Sequence, residues 1–335
     1  MTLLILVVVI LVVLVVARIV RIMELANELS GSDDSQIDDN DNTFNGRMLL
    51  AFLFATIGYF VYVTLRYKKF MLPVSASEHG VATDQMLWIT FALIIFVFFV
   101  TQILLFWYGY KYSYKKENKA YFFPDHHKLE LIWTVVPAVV LIALVFYGLI
   151  VWNKITDTPP ENAMIVELYG KQFDWTVRYA GKDNKLGTSN FRFISGTNIM
   201  GMDYGDAHGK DDVIVKELHF PVNTPILLVM HSRDVIHSAY LPHFRTQMNC
   251  MPGMTTQFHF KPTITTAEMK KITNDEKFEY VLLCNKICGV AHYMMKLDVK
   301  CDTPEEFDTW MKSQKSVAET LVPASIPASV AQLNP

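Results

Sequence analysis

The chain has 335 residues, of which 51% are hydrophobic and 19% charged, with a net charge of −3 and a mean hydropathy of +0.22. Soluble globular chains run closer to one quarter charged, so part of this one belongs in lipid, and the lack of a basic block argues against a nucleic-acid binder. Fifteen Gly and fourteen Pro exclude collagen-like and globally disordered chain, and four Cys, all beyond residue 249, are too few and too clustered for a disulfide scaffold.

Four apolar runs come first. Thr2 to Ala17 is nearly pure Leu, Ile and Val and reaches spanning length with Ile19 and Val20. Met48 to Leu65, Met86 to Tyr110 and Leu131 to Trp152 follow. A bilayer core takes roughly 20 apolar residues as helix, so four spans are expected. No Lys or Arg precedes the first run and no small-residue cleavage pattern follows it, which argues against a cleaved signal. Its basic residues, Arg18 and Arg21, come after it and favour an outside N-terminus. With that topology the inner segments carry Arg18, Arg21, Arg47, Lys111, Lys115, Lys116, Lys119 and Lys128, against Arg66, Lys68, Lys69 and Lys154 outside. The acidic stretch Asp33 to Asp41 reads as a flexible linker. Trp88 and Trp107 bracket the third span, and Trp133 and Trp152 the fourth, as interfacial aromatics do; Pro137 lies inside the fourth.

From about Thr156 the pattern turns to period two. Val213 to Phe220, Pro225 to Met230, Thr256 to Phe260 and Phe278 to Leu283 read as strands, and the largest loop is Gly181 to Asp212. Short strands separated by turn signals, with no helical pattern between them, predict an all-β sandwich outside the cytoplasmic membrane. Pro304 to Gln314 reads as a short helix, before an Ala/Pro/Ser-rich tail. The expected units are 1–47 (first span and acidic loop), 48–85 (second span and linker), 86–155 (a helical hairpin), 156–302 (the β domain) and 303–335 (short helix and tail).

The chemistry concentrates in Cys284-Asn285-Lys286-Ile287-Cys288-Gly289-Val290-Ala291-His292-Tyr293-Met294-Met295. Two thiols four apart, an imidazole four further on and a thioether three beyond share one loop between strands. Soft sulfur with imidazole is a copper-type donor set; zinc favours a closed Cys/His tetrahedron and has no use for Met. A mononuclear blue-copper site needs a single Cys, so the second suggests two coppers bridged by both thiolates. Each copper then needs its own nitrogen, and His237, in Asp234-Val235-Ile236-His237-Ser238 at a strand end, is the best second imidazole. A disulfide between Cys284 and Cys288 is the alternative; it leaves His292 and Met295 unexplained. His208, His219, His231, His243 and His259 read as solvated or packed, Cys250 and Cys301 as buried thiols, and Met248, Met251 and Met254 as packing.

These motifs, with Leu129-Glu130-Leu131-Ile132-Trp133-Thr134-Val135-Val136-Pro137, Tyr169-Gly170-Lys171-Gln172-Phe173-Asp174-Trp175 on an early strand, and Pro252-Gly253, resemble subunit II of the haem–copper cytochrome c oxidases from about Glu78 to Met311. The resemblance implies a helical hairpin, here behind two extra spans, and a Greek-key cupredoxin domain carrying binuclear CuA. It implies Cys284 and Cys288 as bridges, His237 and His292 as one ligand each, Met295 as the weak axial ligand of one copper and the Lys286 carbonyl as that of the other. Glu130 matches the carboxylate at the cytoplasmic mouth of a proton path into subunit I. Trp175 matches an aromatic on the surface strand that packs or carries electrons. The activity implied is acceptance of electrons from a cytochrome c-type donor and delivery to haem on subunit I, where oxygen is reduced to water with proton pumping. The place implied is a bacterial-type inner membrane, with the C-terminal domain periplasmic and other oxidase subunits as partners.

Departures limit what carries over. Lys286 stands where the family has a magnesium-binding Glu, which puts an interface magnesium in doubt for this chain. The electron-entry aromatic is Phe173 instead of Trp, which favours a tethered or complex-bound donor, as in a supercomplex. The chain has no Cys-x-x-Cys-His, so haem is expected only on a partner. The reading from another class is a membrane-anchored copper-binding or delivery protein, and a nitric-oxide-reducing relative shares the same motifs.

Overall fold

The computed structural model describes residues 2–30, 39–115 and 117–321. Two compact units are present: residues 1–69 with 93–127, and residues 70–92 with 128–335.

The first unit is helical. α1 spans Thr2–Ser30, α2 Asp39–Tyr67, and α3, Glu78–Lys111, contributes its later turns. α2 and this part of α3 run antiparallel, since Gly46 meets Tyr110, Leu49 meets Gly109, Phe52 meets Phe106 and Phe60 meets Phe98. A Cβ on Gly46 would come within 3.2 Å of the Tyr110 ring, so the small residue permits close approach, as lipid-embedded pairs require. The expected flexible linker at Asp33 to Asp41 lies mainly outside the described residues, and its end is corrected: Asp39 to Asp41 already form the first turn of α2, where their charges suit the helix dipole.

Among the described residues three helices are long and apolar enough to cross a bilayer: Asp39–Phe70, Glu78–Lys111 and the fourth helix, α4, His127–Thr156. The first apolar run is helical too, although the side chains at 1–6, 8 and 9 lie outside the described set. α3 begins eight residues before its apolar run, because Glu78 to Gln85 continue the helix as a polar head.

The second unit is built on two five-stranded sheets. Its strands are β1 Met164–Lys171, β2 Asp174–Tyr179, β3 Val213–Val215, β4 Leu218–Pro221, β5 Ile226–Ser232, β6 His237–Leu241, β7 Thr246–Cys250, β8 Thr256–Phe260, β9 Tyr280–Cys284 and β10 Lys296–Asp302. One sheet has the order β3-β2-β1-β5-β8, the other β4-β10-β9-β6-β7. Alternate residues turn inward: Val166 and Leu168, then Ile226, Leu228 and Met230, face Leu218, Phe220, Leu241, Tyr280 and Leu282 in one core. Each such side chain contributes about 1.5–3 kcal/mol by leaving water, so the alternation sets the register.

Two strand readings are corrected. Val213 to Phe220 is not one strand: β3 pairs with β2, whereas β4 pairs in parallel with β10 in the other sheet. The chain crosses at Lys216 and Glu217, both exposed, and the Lys216 ammonium holds the crossing by bonding Trp175 O at 3.1 Å and Thr176 Oγ1 at 2.8 Å. Likewise Tyr169 to Trp175 straddles the β1–β2 turn, with Lys171 paired to Asp174. A helix between strands was also not expected. α5, Thr266–Thr273, starts on a capping box in which Thr265 and Glu268 satisfy each other's backbone N–H. The expected C-terminal helix is α6, Pro304–Ser313, and α7, Val317–Leu321, follows, with the Val317 N–H donating to Asp212 O at 2.8 Å. The rest of the tail, 322–335, lies outside the described residues.

Candidate metal centre

The site forms where three neighbouring strands of one sheet end together. Cys284 closes β9, Met295 directly precedes β10, and β6 opens on His237. β9 lies between β6 and β10, with Ala239 opposite Cys284 and Lys296 opposite Leu283, so the register brings His237 to the thiol loop. Among the described residues, His237, Cys284 and Cys288 form a cluster whose donor atoms all lie within 4.8 Å of one another.

The donors divide into two sets around a pair of sulfurs. Cys284 Sγ lies 3.9 Å from Cys288 Sγ, far beyond the ~2.05 Å of a disulfide. All four cysteines are free. Beside Cys284 stand His237 Nδ1 at 3.8 Å and the Lys286 carbonyl at 3.3 Å. Beside Cys288 stand His292 Nδ1 at 3.5 Å and Met295 Sδ at 3.8 Å. A tetrahedral ion with bonds of about 2.3 Å to sulfur and 2.0 Å to nitrogen spaces its donors about 3.5–3.8 Å apart. These residues therefore fit two soft ions sharing two thiolates, with one imidazole and one weaker donor to each.

The surroundings prepare the donors. His237 is fully buried, and its Nε2 faces Asp234 Oδ1 at 2.8 Å. With the proton on Nε2, the Nδ1 lone pair is left toward the sulfurs, an arrangement typical of metal-bound imidazole. Asp234 also accepts the Gln172 N–H at 2.8 Å and the Val235 N–H at 2.7 Å. Burial would raise its pKa, but the bonds from Gln172 and His237 hold the carboxyl below its ordinary range. Gln172 Nε2 in turn donates to the Cys288 carbonyl and fastens the loop to the β1–β2 turn. Burial first, and the Cys284 sulfur second, push the Cys288 thiol up to about 11. Cys288 thus keeps its proton at neutral pH until a cation displaces it.

The aromatics are placed differently from expectation. Trp175 is not a surface residue: it is fully buried on β2, its ring edge-on to His237 at 6.1 Å between centroids, and its Nε1 has no hydrogen-bond partner among the described residues. The inward phase of β2 decides this, since Trp175, Val177 and Tyr179 all face the core. Phe173 is half-buried in the β1–β2 turn, with its ring tip against Gly289. Gly289 has φ 142, and a Cβ there would lie 2.8 Å from Phe173 Cζ, so only glycine fits beneath the ring. Glu130 is not part of this cluster; it sits in the first turn of α4.

The remaining sulfurs and imidazoles fall mostly as packing. Cys250 and Cys301 are buried, and burial drives the Cys250 thiol up to about 12. Met248 packs on the core, while Met254 is 59% exposed. His219 stacks on Trp310 at 3.9 Å, and His243 sits edge-on to Phe278 and Tyr280. Two residues with a part in the site carried no assignment in the sequence reading, Asp234 and Gln172. The signal for Asp234 is its spacing, a carboxylate three residues before the candidate ligand His237 at a strand start.

The family model described as cytochrome c oxidase subunit II, transmembrane domain, matches residues 67–151, and that described as its periplasmic domain matches residues 164–301. α1 and nearly all of α2 precede the matched region. The alternative cytochrome c oxidase subunit 2 of Bradyrhizobium diazoefficiens is 34% identical over 237 residues, covering 70% of this chain and 81% of that protein. The cytochrome c oxidase subunit 2 of Thermostichus vulcanus is 25% identical over 281 residues, 76% of this chain and 82% of that one. Among solved structures, the periplasmic domain of subunit II of cytochrome oxidase from Bradyrhizobium japonicum aligns with TM-score 0.31 at 21% identity, over 46% of this chain and 95% of that chain. The two family matches and the Bradyrhizobium diazoefficiens relative establish that this chain belongs to the cytochrome c oxidase subunit II family, as a membrane-anchored subunit of an oxidoreductase complex with a periplasmic-type β domain.

Proposed function

We propose that this chain holds a binuclear copper centre of the CuA kind and relays single electrons from a cytochrome c-type donor toward haem on subunit I of the oxidase. The observation that carries the reading is the division of His237 with the Lys286 carbonyl, and of His292 with Met295, around two sulfurs 3.9 Å apart. Cys284 and Cys288 would bridge, His237 and His292 would ligate one metal each, and Met295 and the Lys286 carbonyl would be the weak donors. When bound, the copper pair supplies a one-electron carrier whose change of charge is spread over two metals and two sulfurs.

The protein's part is to keep that geometry fixed. The strand ends position Cys284, His237 and Met295, and burial of Cys284, Cys288, His237 and Met295 excludes water from the donors. Asp234 holds the His237 proton on Nε2, away from the donor lone pair. Phe173 closes over Gly289, and Trp175 shields the inner face of His237. A Phe at 173 and a Lys at 286 favour a tethered or complex-bound donor and do not support an interface magnesium. Glu130, at the start of α4, is assigned to the mouth of a proton path into subunit I, where oxygen reduction and pumping occur. The setting proposed is the inner membrane, with the β domain periplasmic.

Electron paramagnetic resonance of the copper-loaded full chain tests this. A hyperfine pattern from one electron shared equally by two copper nuclei is expected. A mononuclear spectrum at full loading would overturn the reading in favour of copper delivery.

A further inference from the structure

We infer that Arg245 is a positioning residue: it clamps the hairpin carrying His237 to the head of α3 and so sets where the metal loop is presented to its electron acceptor. This rests on the electron-relay reading above. Arg245 lies between β6 and β7 with φ 52, a left-handed conformation unfavourable for a residue with a Cβ. Its guanidinium holds that position by an unusually full set of bonds. Nε donates to Asp84 Oδ1 and Nη2 to Asp84 Oδ2, both at 2.8 Å. Nη2 also reaches Pro73 O, and Nη1 Pro242 O, each at 2.6 Å. Only 10% of the Arg245 side chain and 19% of that of Asp84 are exposed, so the fork is barely screened by water.

The segment before α3 is already fixed to the sandwich without Arg245. The Ala76 N–H donates to His243 O at 2.7 Å, the Thr263 N–H to Ala76 O at 2.8 Å, and Ser77 Oγ to Phe244 O at 2.6 Å. Those bonds, with the Glu78 N–H donating to Lys261 O at 3.1 Å and His79 Nε2 facing Arg245 O at 3.3 Å, all lie within residues 76–79 at the base of α3 and by themselves would leave its next turns free to pivot. Asp84 is five residues beyond the last of them, about 7.5 Å up the helix. A second attachment at that distance fixes orientation as well as location. Gly80 makes room for it, because a Cβ there would come within 2.9 Å of Arg245 Cγ.

The clamp grips the opposite end of the strand from the ligand. β6 runs from His237 toward the Arg245 turn, a length of about 17 Å for five extended residues. A tilt of about 5° at the joint would move His237 by about 1.5 Å at that radius. Tunnelling rates fall exponentially with distance, so onward transfer would slow by about tenfold or more, in line with the sensitivity of reactions to misplacement on that scale.

The test uses the assembled oxidase with Arg245→Ala, Arg245→Lys and Asp84→Asn. Lys261→Ala, which removes an exposed pair with Glu78 at the same joint, is the control. Three quantities are read: the resonance spectrum of the metal centre, the rate at which an electron injected there by a flash-excited ruthenium complex reaches haem, and amide hydrogen exchange of residues 76–84 and 246–250 in the metal-free full chain. The expected result is an unchanged spectrum, transfer slowed about tenfold in Arg245→Ala and Asp84→Asn, faster exchange at the joint, and an intermediate rate in Arg245→Lys, whose ammonium cannot form the fork. Wild-type transfer in both Arg245→Ala and Asp84→Asn despite faster exchange would overturn the inference. So would loss of the metal spectrum in both, since Arg245 would then support the fold generally. If wild-type oxidase shows no metal spectrum or no onward transfer, the electron-relay reading itself fails and takes the positioning role with it.

Discussion

Replacing Asp234 by Asn tests whether the carboxylate sets the metal-binding tautomer of His237. Asp234 uses both oxygens as acceptors: Oδ1 takes His237 Nε2–H at 2.8 Å and the Val235 N–H at 2.7 Å, and Oδ2 takes the Gln172 N–H at 2.8 Å. An amide of the same shape has one oxygen and one NH2 group. With its oxygen toward His237, the NH2 meets the Gln172 N–H, donor against donor. Turned over, the NH2 meets His237 Nε2 and forces the ring proton onto Nδ1, the nitrogen 3.8 Å from Cys284 Sγ. Either orientation loses a bond, and the second removes a metal ligand. Outer-shell partners of metal-bound His are worth about 10–100-fold in affinity, or roughly 1.4–2.7 kcal/mol. Competitive copper titration of the full chain against a chelator measures this. An Asp234→Asn affinity within about twofold of wild type, with the same resonance spectrum, would refute the argument.

Further outcomes follow from the same geometry. Gly289→Ala combines an unfavourable φ of 142 with a Cβ 2.8 Å from Phe173 Cζ. It should cost about 1–3 kcal/mol of stability, measured as a thermal shift; Phe173→Ala in the same chain should recover the part due to contact but not the part due to φ. His243 is driven from its ordinary 6.5 down to about 4, by burial first and the Arg245 charge second. The folded state therefore favours neutral His243, so its stabilising effect is complete above about pH 6.5 and is lost as pH falls toward 4. His243→Leu should remove about 2 kcal/mol of the stability difference between pH 7.5 and 5, read from thermal unfolding of the full chain; an unchanged pH profile would contradict the assignment.

Much of the site was legible because its donors are close in sequence. Cys284, Lys286, Cys288, His292 and Met295 occupy one loop, and soft donors at that spacing define a metal chemistry before any fold is known. The membrane helices were legible for a related reason, since an uncharged apolar run must satisfy its backbone internally, as helix. The capping box at Thr265 to Glu268 is a local signal of the same kind, a Thr and a Glu three apart that mark the start of α5.

What the sequence alone could not decide are matters of phase and pairing. Val213 to Phe220 alternates well enough for one strand, yet the sheets claim its halves separately, because β2 and β10 offer edges on opposite sides of the core. Trp175 could have faced either side of β2, and the inward register buried it against His237. Gln172 and Arg245 acquire their contacts from chain far away in sequence, to Asp234, Cys288 and Asp84, which no local pattern records. Residue type and spacing therefore determined which atoms are candidate metal donors and which segments are apolar enough to cross a bilayer, because both depend on short-range composition. Strand register and long-range packing decided how those atoms are oriented, shielded and held, because only folding brings residues 84, 172, 237 and 288 to their partners.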